Sequence, residues 1–408
     1  MLRQHAKEIY TAAIQEALPK EAVQNCLSKL SFGSGKLVLI SIGKAGWAMA
    51  KAAYDMLADR ITGGVIVTKY DHSCGPIGDL QIVEAGHPIP DDNSLKGARL
   101  ALDAVSDLTE EDTVLFLISG GGSALFELTT LPLEELQGIN SQLLAAGADI
   151  KKINTVRKRM SLVKGGRFAA ACGGARIVSV ILSDIIDDQL DMIASGPTCP
   201  DSATCAEAMQ IIDDYAITLS PQAQALLQQE TPKTIPNAEY HMCGSVRQLC
   251  ATAERVCRDL GYTPTVLTDQ LSCTASEAGR FLGNIARTHA RRGEKLAFIA
   301  GGETVVYLTG TGKGGRNQEL ALAAAEQIAG ISDVLVFSVG SDGTDGPTDA
   351  AGGVVDGSTR DALAKNGISI SQVLRDNDAY HALQACDGLI FTGATGTNVN
   401  DLSVLLIG

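Results

Sequence analysis

The feature that most constrains this chain is an alternation of strand-like apolar runs with helix-like stretches, which begins at Lys36. The runs KLVLISIG (36–43), TVLFLIS (113–119) and RIVSVILS (176–183) are almost wholly apolar, as strands buried on both faces are. Stretches with helical spacing separate these runs. The alternation predicts an α/β fold with a doubly wound parallel sheet.

The length of the chain predicts a second domain. At 408 residues it is too long for one ordinary hydrophobic core. The segment TPKTIPNAEY (231–240) has two prolines and no periodicity, so we place the boundary there, between domains 1–235 and 236–408. The second part returns to helix–strand units, which predicts further α/β structure.

The formal charge of -14 argues against binding of nucleic acid or of an anionic membrane by bulk attraction. An anionic substrate would therefore need a few local cations. The charged residues near the N-terminus do not fit a signal peptide, and no apolar run reaches membrane-spanning length. The ten cysteines form no C-x-x-C and no zinc spacing with histidine, so we expect reduced core cysteines in a cytoplasmic, soluble protein.

Two carboxylate clusters follow predicted strands. The run VLVFSVG (334–340) leads into a glycine-rich loop with Asp342, Asp345 and Asp349, and RIVSVILS leads into a cluster that includes Asp184 and Asp188. Carboxylates this close repel one another, and a divalent cation or a metal–polyphosphate complex relieves that repulsion. The alternative is that the aspartates cap turns and helix starts. For three in one loop we favour the metal.

A glycine–serine loop and a lysine lie at two other strand ends. Lys44 stands where KLVLISIG passes into an alanine-rich helix, whose N-terminus attracts anions. The nest-like loop after TVLFLIS is formed by Ser119, Gly120, Gly121, Gly122 and Ser123. Its bare backbone N–H groups and hydroxyls suit phosphates. The alternatives are a solvated lysine and a tight turn that needs positive φ.

Basic residues are concentrated between 151 and 167. Helical spacing places Arg157, Ser161 and Lys164 on one face. We expect most of these charges to be solvated, but one or two facing a cleft would suffice to bind a phosphate or a carboxylate. A further cation, Arg316, begins a predicted helix in the second domain.

A dinucleotide site is the competing interpretation. Gly310, Gly312 and Gly315 satisfy G-x-G-x-x-G before a helix, but the ribose-binding acid expected about 20 residues later is missing, since the next strand ends only at Asp342. No Walker A motif is present. Carboxylates, bared N–H groups and isolated cations are together the set that phosphoryl transfer requires. Hydride transfer needs fewer acids.

Eight segments, in order along nearly the whole chain, resemble the class II glycerate kinase (glycerate 2-kinase) family. They are GKAGWAMA, AGHPIPD, ISGGGSAL, INTVRKRMSLVKGGR, SDIIDDQLDMIASGPT, GGETVVYLTGTGKGGRNQE, GSDGTDGPTDAAGG and TGTNVNDL. The resemblance implies a phosphotransferase with an alcohol acceptor, which uses ATP and Mg²⁺ to convert D-glycerate to 2-phosphoglycerate and ADP. It also implies a Rossmann-like N-terminal domain, a smaller C-terminal α/β domain and an active site in the cleft between them.

Two alternative functions remain open. Some relatives have carried the label hydroxypyruvate reductase, so an NAD(P)H-dependent reductase is the alternative enzyme, and a non-enzymatic sensor of a small sugar acid is a third possibility. As partners we expect a small-molecule substrate, no nucleic acid and no membrane, in a monomer or homodimer.

Site residues carry over motif by motif. The family's lysine falls on Lys44 and its arginine on Arg316, both expected to engage glycerate and the transferred phosphoryl group. The loop Ser119 to Ser123 corresponds to the nucleotide-phosphate site. The metal candidates are Asp184, Asp188, Asp342, Asp345 and Asp349, and Asp188 is also the candidate to orient or deprotonate the 2-hydroxyl. Asp187 stands where the family motif S-D-x-x-G-D has glycine, which adds a charge there.

Overall fold

The computed structural model describes residues 1–185, 189–290 and 293–408, and its mixed helix and strand content confirms the predicted α/β class. It divides into two compact units. The first unit is formed by residues 19–243, and the second by residues 1–18 together with 244–408.

The helices and strands of the described residues follow one another in the order that the alternation predicts. The strands are β1 (Leu37–Ile42), β2 (Ile61–Lys69), β3 (Gln81–Ala85), β4 (Thr113–Ile118), β5 (Arg176–Leu182), β6 (Ala238–Gly244), β7 (Thr263–Leu271), β8 (Leu296–Gly302), β9 (Val334–Gly340), β10 (Gly352–Asp356), β11 (Leu389–Ile390) and β12 (Asp401–Ile407). The helices are α1 (Leu2–Glu16), α2 (Pro19–Leu27), α3 (Gly46–Leu57), α4 (Asp92–Val105), α5 (Gly122–Leu125), α6 (Leu133–Ala145), α7 (Ile150–Met160), α8 (Arg167–Ala170), α9 (Cys205–Asp214), α10 (Pro221–Leu227), α11 (Val246–Asp259), α12 (Ala275–His289), α13 (Arg316–Ile328), α14 (Thr359–Lys365), α15 (Ile370–Asp376) and α16 (Ala379–Gln384).

The first unit is built on a six-stranded sheet with the order β3-β2-β1-β4-β5-β6. The pairs β2–β3, β1–β2, β1–β4 and β4–β5 are parallel. β1 and β4 are buried along their whole length, as their apolar sequences predict. This is the strand order of the dinucleotide-binding Rossmann fold, and it reverses between β1 and β4. Ligands of such sheets bind at the carboxyl ends of the strands that flank the reversal.

The basic stretch of α7 is largely structural. Lys158 donates to Asp201 at 3.1 Å, and Arg159 contacts the other oxygen of the same carboxylate at 3.2 Å. All three side chains are buried. The expectation that most of these charges are solvated is therefore wrong for Lys158 and Arg159, which instead join α7 to the segment before α9.

The second unit has a mixed six-stranded sheet with the order β11-β10-β9-β12-β8-β7. Within the described residues its pairs are antiparallel except β7–β8. β9 is buried at every position, as predicted for VLVFSVG. α13 packs against β9 and β10. β9 and β10 are neighbouring antiparallel strands, and the acidic loop 341–351 connects them.

The compact units differ from the predicted domains at both ends of the first domain. Residues 236–243, placed in the second domain by sequence, lead into and form β6, which lies next to β5 in the first sheet, and Ile177 N donates to Asn237 O at 2.8 Å. Helix α1 belongs to the second unit because it packs on α11, with Thr252 Oγ1 donating to Glu16 Oε2 at 2.8 Å. Within the described ranges, no helix is both long and apolar enough to span a membrane.

Candidate active site

The loops after β1 and β4 are joined by backbone hydrogen bonds at the strand-order reversal. Lys44 N donates to Gly120 O at 2.9 Å, and Ala45 N donates to Ser119 Oγ at 3.0 Å. Gly43 has a φ of 110°, and a Cβ there would clash with Ser119. The backbone conformation and the contact with Ser119 thus require glycine at position 43. The close approach of the two loops places Lys44 beside the glycine–serine loop.

The glycine–serine loop presents unused donors. The amide N–H groups of Gly120, Gly121, Gly122 and Ser123 make no hydrogen bond to another residue that the structure describes. Ser119 has a different role, because its buried hydroxyl accepts from Ala45 N and donates to Ile42 O at 3.2 Å. The hydroxyl of Ser119 is thus engaged in hydrogen bonds to the strand β1 and the residue Ala45, whereas the four amides that follow it have no acceptor among the described residues.

His87 and Lys44 flank Gly121. A Cβ on Gly121 would lie 3.0 Å from Cδ2 of His87 and 3.2 Å from Cγ of Lys44. Burial, and then the neighbouring Lys44 charge, lower the pKa of His87 to about 4. The imidazole is therefore neutral near pH 7, and it adds no positive charge beside Lys44.

Asp184 also lies at this loop. It follows β5, the neighbour of β4, and a Cβ on Gly120 would clash with its carboxylate. The other first-unit candidate, Asp188, lies outside the described residues, as does Asp187. Of the predicted acids of the first unit, Asp184 is thus the one that the structure describes at the glycine–serine loop.

In the acidic loop of the second unit, Asp345 caps α13. Its carboxylate accepts from Asn317 N at 3.1 Å and from Gln318 N at 2.9 Å. Burial raises the pKa of Asp345 to about 7, against the effect of these hydrogen bonds. The capping interpretation, which the sequence left as the alternative, describes this residue.

The other two aspartates of that loop have separate partners. Asp342 accepts from Thr344 N at 3.0 Å, and Asp349 accepts from the Tyr380 hydroxyl at 2.7 Å. Among the residues that the structure describes, no three His, Cys, Asp or Glu side chains are arranged to hold a metal ion. The three carboxylates therefore do not form an all-protein metal cluster in this structure.

Comparison with known proteins assigns the family. A model described as a domain of unknown function (DUF4147) matches residues 5–228, and the MOFRL family model matches residues 296–401. The chain is 48% identical over its full length to D-glycerate 2-kinase of Thermotoga maritima, of which it covers 98%. The chain belongs to the glycerate kinase family. It is therefore a kinase, as the eight sequence segments predicted.

A further glycerate kinase and a solved structure agree with this membership. Glycerate 2-kinase of Pyrococcus horikoshii is 41% identical over 91% of this chain and 88% of its own length. The crystal structure of glycerate kinase from Thermotoga maritima has a TM-score of 0.96, with 49% identity over 100% of this chain and 99% of that one.

Arg316, the family's arginine, is not the isolated cation that the sequence predicted. Its Nε and Nη2 donate to the two carboxylate oxygens of Asp401 at 2.6 and 3.0 Å, and Nη1 donates to Glu303 at 2.6 Å. Asp401 is buried, whereas Glu303 is exposed. Sequence reasoning missed both acids, because Asp401 lies 85 positions from Arg316 and only the sheet brings β12 beside β8.

The glycines that suggested a dinucleotide fingerprint have a packing role in this glycerate kinase fold. Gly312 N donates to Asp376 O at 2.8 Å, and Gly310 N donates to Asn377 Oδ1 at 2.9 Å. Side chains at either glycine would clash with the turn between α15 and α16. The loop from Gly302 to Arg316 is also far longer than a tight strand-to-helix turn. Close packing against this turn therefore explains Gly310 and Gly312 of the G-x-G-x-x-G pattern, which had favoured the reductase.

A polar network behind the glycine–serine loop was missed by the sequence analysis. The hydroxyls of Ser123 and Ser195 lie 2.9 Å apart, and Ser195 donates to Asn154 Oδ1 at 3.0 Å. Ala194 and Ser195 both have left-handed φ values, 51° and 59°. Non-glycine residues with such values concentrate at functional sites. The segment ASGPT was visible in the sequence after the aspartate cluster, but nothing in it indicated this contact.

Proposed function

We propose that the chain transfers the γ-phosphoryl group of ATP to the 2-hydroxyl of D-glycerate and releases 2-phosphoglycerate and ADP. The observation that carries the proposal is the set of four amides from Gly120 to Ser123, which have no acceptor among the described residues and lie beside Lys44 at the reversal between β1 and β4. Such donors fit phosphate oxygens. The names of the relatives, D-glycerate 2-kinase and glycerate 2-kinase, support the acceptor and the position.

In this proposal the amides and Lys44 have complementary tasks. The amides bind the phosphates of the nucleotide and fix their orientation. Lys44 offsets the negative charge that develops on the transferred group, and its effect is largest where water is excluded. Asp188 remains our candidate to orient or deprotonate the 2-hydroxyl.

A magnesium ion fits the carboxylate at the loop. Mg²⁺ bound with nucleotides usually takes one or two protein carboxylates and completes its shell with phosphate oxygens and water. Asp184, whose carboxylate lies against Gly120, meets that need without an all-protein cluster. When bound, the ion neutralises phosphate charge. Asp342 and Asp349 remain further candidates, whereas we assign Asp345 to capping α13.

Arg316 is proposed to bind the carboxylate of glycerate in place of Glu303. Glu303 is exposed and binds one nitrogen of Arg316, so a substrate carboxylate can compete with Glu303 for that nitrogen. Asp401 is buried and contacts two nitrogens, so it keeps the guanidinium oriented. Bidentate pairs of this kind fix geometry as well as charge.

The test is a coupled assay of ADP release by the full chain. ADP should appear only when ATP, Mg²⁺ and D-glycerate are all present, and EDTA should abolish it. A parallel reaction with hydroxypyruvate and NADH measures the alternative. Consumption of NADH without ADP release would contradict the proposal, and nucleotide or glycerate binding without turnover would favour a sensor.

A further inference from the structure

Arg157 differs from the two charged residues that follow it on α7. Lys158 pairs with Asp191 at 2.9 Å as well as with Asp201, and Arg159 is likewise paired and buried. Arg157 is only partly exposed, yet it makes no hydrogen bond or ion pair with any residue in the described ranges. A partly buried, unpaired cation costs free energy, and folded proteins rarely keep one without a use for it.

Glu127, the acid that interacts electrostatically with Arg157, already has other hydrogen-bond partners. Glu127 Oε2 accepts from Lys164 Nζ at 2.7 Å, and Oε1 accepts from Leu128 N at 3.0 Å. Lys164 and Glu127 therefore neutralise each other, and no other acid among the described residues pairs with Arg157. Burial lowers the pKa of Arg157, with Glu127 opposing the change, but an arginine stays protonated at neutral pH.

The position of Arg157 relates it to the glycine–serine loop. It follows Asn154 by three residues on α7, so the two side chains are separated by only roughly 60° around the helix axis. Asn154 accepts from Ser195, which contacts Ser123 of the loop. Glu127, which interacts electrostatically with Arg157, lies four residues after Ser123. The hydrogen bonds through Asn154 and Ser195, and the interaction with Glu127, therefore both relate Arg157 to the segment Ser119 to Glu127, which begins with the glycine–serine loop.

We propose that Arg157 binds an oxyanion at the glycine–serine loop, either a phosphate of the nucleotide or the carboxylate of the acceptor. The planar guanidinium with five donors matches both groups. The inference rests on the proposed function for the identity of the two anions. It adds Arg157 to Lys44 and the amides as a binding residue, and the bound oxyanion would compensate the charge of Arg157.

The variant Arg157→Gln separates ligand binding from a structural role. Removal of an unpaired cation should leave the melting temperature of the free protein unchanged or higher. The KM for one substrate, ATP or D-glycerate, should rise about 10- to 100-fold, as expected for a lost charged hydrogen bond. The substrate affected identifies the anion. Lys151→Gln, the same charge change at an exposed position of α7, should alter neither quantity.

Calorimetric binding makes the test independent of turnover. Inorganic pyrophosphate and D-glycerate are each titrated into the wild-type chain and into Arg157→Gln. Loss of affinity for one probe supports the inference, even if no phosphoryl transfer is found. Equal binding by both proteins, or a lowered melting temperature with KM values within threefold of wild type, would overturn it while leaving the kinase proposal intact. If the Gln variant does not fold, Arg157→Lys, which keeps the charge but loses the fork, is read by the same criteria.

Discussion

At the scale of single residues, Lys44 and His87 lie on either side of Gly121. The half-buried imidazole is held neutral partly by the charge of Lys44, so it adds no second positive charge at this position. The Lys44 side chain makes no hydrogen bond to the described residues, unlike Arg316 with its two acids. In the proposed function Lys44 is therefore available to a substrate, whereas Arg316 would exchange Glu303 for the substrate carboxylate.

Lys44→Met should lower kcat about 100-fold, which corresponds to about 3 kcal/mol of transition-state stabilisation. Methionine keeps the length of the side chain and removes the charge. Because Lys44 has no side-chain partner among the described residues, the free energy of unfolding should change by no more than about 0.5 kcal/mol. Steady-state kinetics and urea unfolding measure the two effects. Lys51→Met, at an exposed position on α3, is the control. Turnover of Lys44→Met within a few-fold of wild type would sink the assignment.

His87 gives a pH dependence with a definite sign. Its folded pKa of about 4 lies below the ordinary value of 6.5, so between these values the unfolded chain binds more protons at this position. Its contribution to stability is therefore present above pH 6.5 and is lost as the pH falls toward 4, with a slope of at most about 1.4 kcal/mol per pH unit. His87→Gln should lose less stability than wild type over this window. Urea unfolding at several pH values measures it, and identical slopes would contradict the account.

At the scale of elements, the first unit depends on a buried charge network as well as an apolar core. Asp201 accepts from Lys158, Arg159 and the Thr231 hydroxyl, so one carboxylate joins α7, the segment before α9 and the segment after α10. The sequence shows the basic residues of this stretch but not their partners. Separations of 30 to 43 positions leave no local pattern to reveal the pairing.

Asp201→Asn should destabilise the chain by about 3–5 kcal/mol, because it leaves two buried cations without their shared anion. Asp55→Asn removes an exposed i,i+4 partner of Lys51 and should cost no more than about 0.5 kcal/mol. Denaturant unfolding compares the two variants. A loss of less than about 1 kcal/mol for Asp201→Asn would show that the network contributes little.

The elements themselves were largely predictable. β1, β4, β5 and β9 are mostly apolar in sequence, and burial on both faces leaves such a pattern in any sequence. The antiparallel pairing of β9 with β10 and β12 was not predictable, because strand direction depends on connections that periodicity does not encode. The role of Asp345 was not predictable either. Its carboxylate caps α13, whose first residues lie 27 and 28 positions earlier in the sequence, whereas the sequence shows only three aspartates close together in one loop.

At the scale of the whole molecule, the family resemblance was visible because most of its segments contain glycines and lie next to strand ends, where side chains and backbone are both constrained. The domain limits were harder to predict. Helix α1 lies first in the sequence but packs on α11, and β6 follows a segment without periodicity. Contacts across more than 200 positions, such as Glu16 with Thr252, leave no trace in a single sequence.

The central claim is phosphoryl transfer from ATP to the 2-hydroxyl of D-glycerate. Phosphorus-31 NMR of the products formed by the purified chain with ATP, Mg²⁺ and D-glycerate tests it most directly, since the two phosphoglycerate isomers give distinct signals. The account predicts ADP and 2-phosphoglycerate in equal amounts. A 3-phosphoglycerate signal would contradict the assigned position, and ATP left unchanged would contradict the kinase proposal itself.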